Sequence, residues 1–198
     1  SGLTAYVMDE TAMTVIPLGT LPLAAQHVLK DIEFGQTLEI SENTAYISDT
    51  LGNLFVVDVS GPPVLQGKIR PQAGMVSGIS IVDSHAYLAA SGGLEVIDIT
   101  SHSNPASLGV VPASGEPCDV ISLGTSLYLA EGTGGLRVLS LANPAMPEEV
   151  GEYGNQALPV ALAGTNSGEI YSAQGAAGLN TLNLSDALNP KQVSLLGS

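Results

Sequence analysis

The chain has 198 residues and is strongly acidic, with 5 Lys+Arg against 19 Asp+Glu and a formal net charge of −14. A field of that sign repels phosphate backbones and anionic membrane surfaces, so we expect no nucleic-acid partner. No apolar run approaches the ~20 residues that a membrane-spanning helix needs, so we expect no membrane span.

Composition favours one folded domain at an extracytoplasmic location. Hydrophobic residues make up 44% of the chain and charged residues 12%, which leaves little sequence for a disordered tail. The single cysteine, Cys118, excludes an internal disulfide and any multi-cysteine metal site. Few lysines beside abundant Gly, Ser, Thr and Ala favour a cell-surface or secreted protein.

A hairpin pattern recurs along the whole chain. Its clearest copy, residues 86–100, has an apolar run with a tyrosine, a Gly92-Gly93 turn and a second apolar run. Five of the six tyrosines share this position at intervals of 40 to 43 residues: Tyr6, Tyr46, Tyr87, Tyr128 and Tyr171. Each interval therefore predicts one structural repeat.

An interval near 41 residues is typical both of β-propeller blades and of helical repeats. No stretch has a sustained helical stripe, and Gly or Pro interrupts almost every ten residues. We therefore predict an all-β fold, a propeller of four-stranded antiparallel blades. Strands are lettered A to D from the innermost outwards. The predicted single domain, or propeller portion, has units at about 1–35, 36–74, 75–115, 116–156 and 157–198.

The first unit has no room for an innermost strand. Strand A lies six to eight residues before Tyr46, whereas only five residues precede Tyr6. The tally is 19 strands, one short of five complete blades. Three interpretations follow: the chain is an excerpt of a longer propeller, a partner protein or further chain supplies the strand by β-augmentation, or an imperfect five-bladed ring closes.

The second and third units have a distinctive strand C. Residues 94–100 are Leu-Glu-Val-Ile-Asp-Ile-Thr, residues 54–60 are similar, and Asn104-Pro105 follows the first of these. This combination resembles the LVIVD repeat, a propeller unit of bacterial and archaeal surface proteins. The resemblance implies a propeller and assigns no catalytic residues.

Carboxylates collect on one predicted rim. In propellers the B–C and D–A loops open on the face where ligands usually bind, so six acidic residues form a candidate ligand-facing rim: Asp9, Glu10, Asp49, Glu116, Asp119 and Glu131. Several carboxylates suit a hard cation such as Ca²⁺. However, no loop has the sequence signature of a calcium-binding loop. In a chain with 19 acidic residues, several are also expected to share one face by chance. We expect no obligatory cofactor, with Ca²⁺ as the candidate cation.

Other reactive residue types have structural interpretations. No histidine is predicted near Cys118, so we interpret it as a small buried hydrophobe. Asp58 and Asp98 recur at one repeat position, which indicates side chains that cap the C–D turn. The recurrent tyrosines indicate packing between blades.

No catalytic residue set emerges, so the leading hypothesis is a non-catalytic binding or scaffolding module, part of a larger cell-surface or extracellular protein or assembly. The alternative is a propeller hydrolase or lyase that uses the rim carboxylates with a bound divalent cation.

Overall fold

The computed structural model describes residues 4–8, 12–17, 27–30, 32, 34–154, 159–165, 168–186 and 190–197. Within these ranges the chain forms 19 strands in five antiparallel sheets and two 3-10 helices of three residues each. The predicted all-β propeller is confirmed. None of the helices in the described part has the length and apolar character needed to cross a bilayer.

The first sheet has three strands in the described residues, and each later sheet has four. The first contains β1 (Thr4–Met8), β2 (Met13–Pro17) and β3 (His27–Leu29). The second contains β4 (Gly35–Ser41), β5 (Thr44–Asp49), β6 (Leu54–Asp58) and β7 (Val64–Ile69). The third contains β8 (Val76–Val82), β9 (His85–Ala90), β10 (Gly93–Asp98) and β11 (Ala106–Pro112). The fourth contains β12 (Asp119–Leu123), β13 (Ser126–Ala130), β14 (Leu136–Ser140) and β15 (Glu148–Tyr153). The fifth contains β16 (Ala161–Gly164), β17 (Glu169–Ala173), β18 (Leu179–Asn183) and β19 (Lys191–Leu196).

Every sheet is a meander in which strands pair in chain order. The inner strands pack in series, β4 against β8, β8 against β12 and β12 against β16. Strands B and C are the most buried, as in β5 and β6, because neighbouring sheets cover both faces. The outer strand D is mostly exposed, and in β15 it carries three glutamates, which discourage pairing with other chains.

Four hydrophobic cores hold the series together, and each joins two consecutive sheets. They are centred on Ile47 between the first two sheets, on Leu88 between the second and third, on Leu129 between the third and fourth, and on Tyr128 between the fourth and fifth. In the described part of the chain, none of these cores joins the fifth sheet to the first.

Each sheet therefore has two distinct faces. We call the face towards the next sheet the forward face and the other the rear face. In the third sheet the forward face pairs Tyr87 with Val96 and Ala89 with Leu94, and all four belong to the core shared with the fourth sheet. Tyr46, Tyr87 and Tyr128 thus fill the space between blades, as predicted, whereas Tyr171 belongs to none of the cores of the described residues.

The C–D turns are capped by the side chain that ends strand C. The Ser60 N–H donates to Asp58 Oδ1 at 2.8 Å, and the Thr100 N–H donates to Asp98 Oδ1 at 2.8 Å. Hydrogen bonding to the side chain of Ser60 or Thr100, followed by the backbone N–H bond, lowers the pKa of both carboxyl groups. Ser140 and Asn183 accept from the equivalent N–H groups in the fourth and fifth units. The predicted capping role is confirmed.

The caps also explain a difference in strand bounds. The sequence predicts that strand C continues to Ser60 and Thr100, whereas β6 ends at Asp58 and β10 at Asp98. A backbone N–H bonded to the side chain two residues earlier belongs to a turn. The strand therefore ends at the capping residue.

A β-bulge lies at one repeat position in all four C–D pairings of the second to fifth sheets. Bulges increase the local twist of an edge strand. In the second sheet the bulge adjoins Gly67, where a Cβ atom would collide with the carbonyl oxygen of His102 in the next unit. Only glycine allows this close approach of the two units.

Candidate functional site

The structure describes four of the six predicted rim residues and places them in the second and fourth units. Asp9 and Glu10 lie outside the described residues. Asp49 ends β5, Asp119 begins β12, and Glu116 lies in the segment that leads into β12. Glu131 follows β13 and precedes the 3-10 helix Gly132–Gly134.

Asp49 is occupied by its own turn. Its Oδ1 accepts the backbone N–H groups of Leu51 at 3.0 Å and Asn53 at 2.8 Å. Its Oδ2 accepts from Asn53 Nδ2 at 2.7 Å. With the residue only 2% exposed, this carboxylate stabilises the B–C turn of the second unit and presents little surface to a ligand.

Glu131 forms a buried ion pair. Arg137 Nη2 donates to Glu131 Oε1 at 2.6 Å, and the two side chains are 6% and 0% exposed. The Arg137 Nη1 group donates to the carbonyl oxygen of Pro112 at 2.9 Å, which links the fourth sheet to the end of β11. Burial raises the pKa of Glu131, and the charge of Arg137 partly offsets that. This carboxylate links two units.

Asp119 links the fourth sheet to the fifth. Its Oδ1 accepts the Val120 N–H, and its Oδ2 accepts the Leu162 N–H, both at 2.8 Å. Burial raises the pKa of Asp119, and the two N–H groups partly offset this. On the other side, a Cβ at Gly78 would lie 2.8 Å from the Asp119 Cα, so glycine permits the close packing of β8 against β12.

The inner strands line an open pocket of about 220 Å³ that combines polar and apolar groups. Glu39, Ser80 and Ser122 contribute the polar side chains, as the sequence indicated for the inner strands. Burial raises the pKa of Glu39, and the nearby negative charge of Asp119 raises it further. The pocket therefore offers one carboxyl group and two hydroxyl groups to a ligand, and its described lining includes no histidine, cysteine or lysine.

No three His, Cys, Asp or Glu side chains of the described residues are grouped so that they could hold a metal ion. The rim as a ligand site and Ca²⁺ as its cation stay predictions.

Cys118 differs from the prediction, because it is only partly buried. It lies in the connection before β12, outside the sheet core, and its thiol donates to the Glu116 carbonyl oxygen at 3.2 Å. Burial, followed by the charges of Glu116 and Asp119, raises the pKa of the thiol. A raised pKa keeps sulfur in the weakly nucleophilic thiol form.

Sequence reasoning missed the polar links between units. The Tyr87 hydroxyl donates to the carbonyl oxygen of Pro144 at 2.9 Å, and the Tyr46 hydroxyl lies 3.3 Å from His102 Nε2. In both cases the tyrosine reaches the C–D turn of the next unit. The repeat position of His102 and Pro144, each in such a turn, was the available signal.

Buried Glu95 was missed as well. It accepts the Ala73 N–H at 2.7 Å, from the end of the second unit, and the Ser107 hydroxyl at 2.6 Å, from its own unit. An acidic residue in an otherwise apolar strand C was the signal that could have identified it.

The sequence matches the LVIVD repeat over residues 35–69, 73–112 and 114–155. The three matches cover more than half of the chain and correspond to the second, third and fourth sheets.

The chain belongs to the LVIVD-repeat family.

No curated protein matches the sequence. Among solved structures, a functionally unknown protein from Desulfotomaculum acetoxidans DSM 771 is similar to this LVIVD-repeat chain, with a TM-score of 0.81 and 10% identity over 98% of this chain and 66% of that chain. The computationally designed Ika8 protein has a TM-score of 0.71 and 12% identity over 98% of this chain and 62% of that one. The chain thus spans slightly less than two thirds of the length of these proteins, and the similarity concerns the fold.

Proposed function

We propose that this LVIVD-repeat chain is a non-catalytic binding and scaffolding module of a cell-surface or extracellular protein or assembly. The observation that carries the proposal is the inner edge of the first sheet. In the described residues that sheet ends at β1, whereas each of the other sheets continues inwards with a strand A.

The edge at β1 has the properties of a strand-binding site. β1 pairs with β2 on one side, and its burial is incomplete, with Val7 45% exposed. The equivalent strand β5 pairs on both sides and is buried throughout. An unpaired row of backbone N–H and C=O groups recruits an extended segment of another chain by β-augmentation. The proposed partner is therefore a protein segment in the extended conformation.

The rim carboxylates support binding over catalysis. Asp49 and Asp119 each accept hydrogen bonds on both oxygens from their own chain, and Glu131 is paired with Arg137. A general acid or base needs free access to substrate. These three groups instead stabilise turns and contacts between units, so the alternative of a hydrolase or lyase has less support.

The test uses the chain's own inner strand as a probe. A synthetic peptide with the sequence of residues 35–41 is titrated into the chain, with isothermal calorimetry for binding and amide hydrogen exchange for location. We expect saturable binding and slower exchange of the β1 amides. The matched control is the same peptide with Leu38→Pro, because proline cannot donate to a strand ladder.

A variant of the chain itself tests the same edge, in place of a change in the peptide. Val7→Lys places a charge beside the β1 edge at an exposed position, which should weaken peptide binding at least about tenfold. Equal binding of both peptides, or a β1 that already exchanges as slowly as β9 in a monomeric chain, would contradict the proposed strand-binding edge.

A further inference from the structure

The forward face of the fifth sheet keeps the residue pattern with which the earlier sheets contact their neighbours. Tyr171 pairs with Thr181, and Ala173 pairs with Leu179. The pattern at these four positions is tyrosine, a β-branched residue, a small residue and leucine. The second, third and fourth sheets have the same pattern at the paired positions Tyr46–Val56 and Ser48–Leu54, Tyr87–Val96 and Ala89–Leu94, and Tyr128–Val138 and Ala130–Leu136.

Those equivalent residues are all covered in the earlier sheets. None of the residues at these positions in the second to fourth sheets is more than 2% exposed. In each case, apart from Ser48 and Ala130, these residues belong to the hydrophobic core that the sheet shares with the next sheet of the series. The pattern is therefore a contact surface for a following blade wherever such a blade is present.

In the fifth sheet three of the four equivalent positions are open, and the fourth, Thr181, is buried. Leu179 is 39% exposed, Tyr171 and Ala173 are partly exposed, and Leu196, which pairs with Leu179, is 70% exposed. No core of the described residues includes Tyr171 or Leu179. The rear face of this sheet is closed, since Ile170 and Leu182 are almost fully buried in the core with Tyr128.

This face differs from the surface of a capping repeat. A terminal repeat that borders solvent needs a polar outer face. The forward face of the fifth sheet is instead apolar at Ala173, Leu179 and Leu196. Glu169 and Asn183 lie on the same face at the C–D end, where the third sheet, an internal blade, has His85 and Asp98. Its composition is that of an internal blade.

We propose that the forward face of the fifth sheet binds a further LVIVD-type blade. Its rear face would cover Leu179 and Leu196, and its C–D turn would offer a carbonyl oxygen or an imidazole to the Tyr171 hydroxyl. The proposal continues the interfaces inside the chain, where Tyr87 donates to the Pro144 carbonyl oxygen and Tyr46 lies beside His102. Over a third of each of the two solved chains with the same fold lies outside the part that this chain covers.

The surface is separate from the β1 edge, at the opposite end of the series of sheets. The two proposals are therefore tested by different residues. Substitutions at Tyr171 should leave peptide binding at β1 unchanged, and Val7→Lys should leave blade binding at the fifth sheet unchanged.

The experiment extends the full chain by one blade. A second copy of residues 75–115 is appended after residue 198, and amide hydrogen exchange of β17 and β18 is compared with that of the unextended chain. We expect exchange in both strands to slow at least about tenfold. In a matched control the appended copy carries the substitution Ile97→Glu on its rear face. This substitution should remove the protection.

A second variant tests the tyrosine itself. Tyr171→Glu alters a partly exposed residue, so the parent chain should fold normally, and the extended chain should lose the added protection. Unchanged exchange of β17 and β18 in the extended chain would overturn the proposal. Self-association of the unextended chain that Tyr171→Glu abolishes would overturn it too, because the occupant would then be the first sheet of a second copy.

Discussion

At the scale of single residues, the carboxyl groups of this acidic chain differ in what faces them. Hydrogen bonds from the side chain and then the backbone of the residue two positions later lower the pKa of Asp58 and Asp98. Glu39 lies in the pocket of the inner strands, where burial and the charge of Asp119 raise its pKa. The first two groups contribute stability that is present above their unfolded pKa and is lost as pH falls, whereas Glu39 acts in the opposite sense.

The substitution Glu39→Gln should therefore raise the free energy of unfolding at neutral pH. A carboxyl group with a raised folded pKa weakens the fold as pH rises through that pKa, because its charged form is disfavoured inside the protein. The gain should disappear below the unfolded pKa, where the carboxyl group is neutral in both states. Urea unfolding from pH 3 to 8 measures this. Glu148→Gln, on an exposed strand, controls for the change in net charge, and equal gains for both variants would contradict a specific effect at Glu39.

The ion pair between Glu131 and Arg137 predicts a larger effect. Arg137→Met should cost about 3–5 kcal/mol, because it leaves a buried carboxylate without its partner. The double variant Glu131→Gln with Arg137→Met should recover most of that loss, since neither charge then remains. Chemical denaturation of both single variants and the double variant measures the coupling. Additive losses would show that the pair is not coupled.

At the scale of secondary-structure elements, the spacing of the tyrosines was enough to predict the sheets. The 19 predicted strands match the 19 strands of the described residues, because a two-residue side-chain period and tight turns are local properties of sequence. The caps at Asp98 and Thr100 were predictable for the same reason, since their partners are two residues apart. The partner of the Tyr87 hydroxyl lies 57 residues away, so it depends on how whole units pack. The partial burial of Cys118 likewise depends on tertiary packing.

The inter-unit tyrosine bonds predict an asymmetry between equivalent residues. Tyr87→Phe should cost about 0.5–1.5 kcal/mol, the net value of one hydrogen bond, because it removes the bond to the Pro144 carbonyl oxygen. Tyr171 occupies the equivalent position in the fifth sheet. Tyr171→Phe should change the free energy of unfolding by less than about 0.5 kcal/mol, as substitutions at exposed sites usually do. Thermal unfolding of the two variants measures the difference. An equal loss for both would mean that the forward face of the fifth sheet is already covered.

At the scale of the whole molecule, the net charge of −14 dominates the response to ions. Repulsion among negative charges weakens the compact state, and salt screens it. The melting temperature should therefore rise smoothly with NaCl over the millimolar range. Ca²⁺ should raise the melting temperature only as much as NaCl of the same ionic strength does. A saturable shift at micromolar Ca²⁺, absent at matched NaCl, would favour a dedicated cation site and with it the hydrolase or lyase hypothesis.

This LVIVD-repeat chain has closed interfaces between its central sheets, and the binding surfaces proposed above lie at the two ends of the series of sheets. Amide hydrogen exchange of the free, monomeric chain tests this most directly, because each sheet reports its own local stability. We predict slow exchange in β5, β9 and β13, and exchange at least about tenfold faster in the equivalent strands β1 and β17. Uniformly slow exchange across all five strands in a chain that light scattering shows to be monomeric would contradict the account.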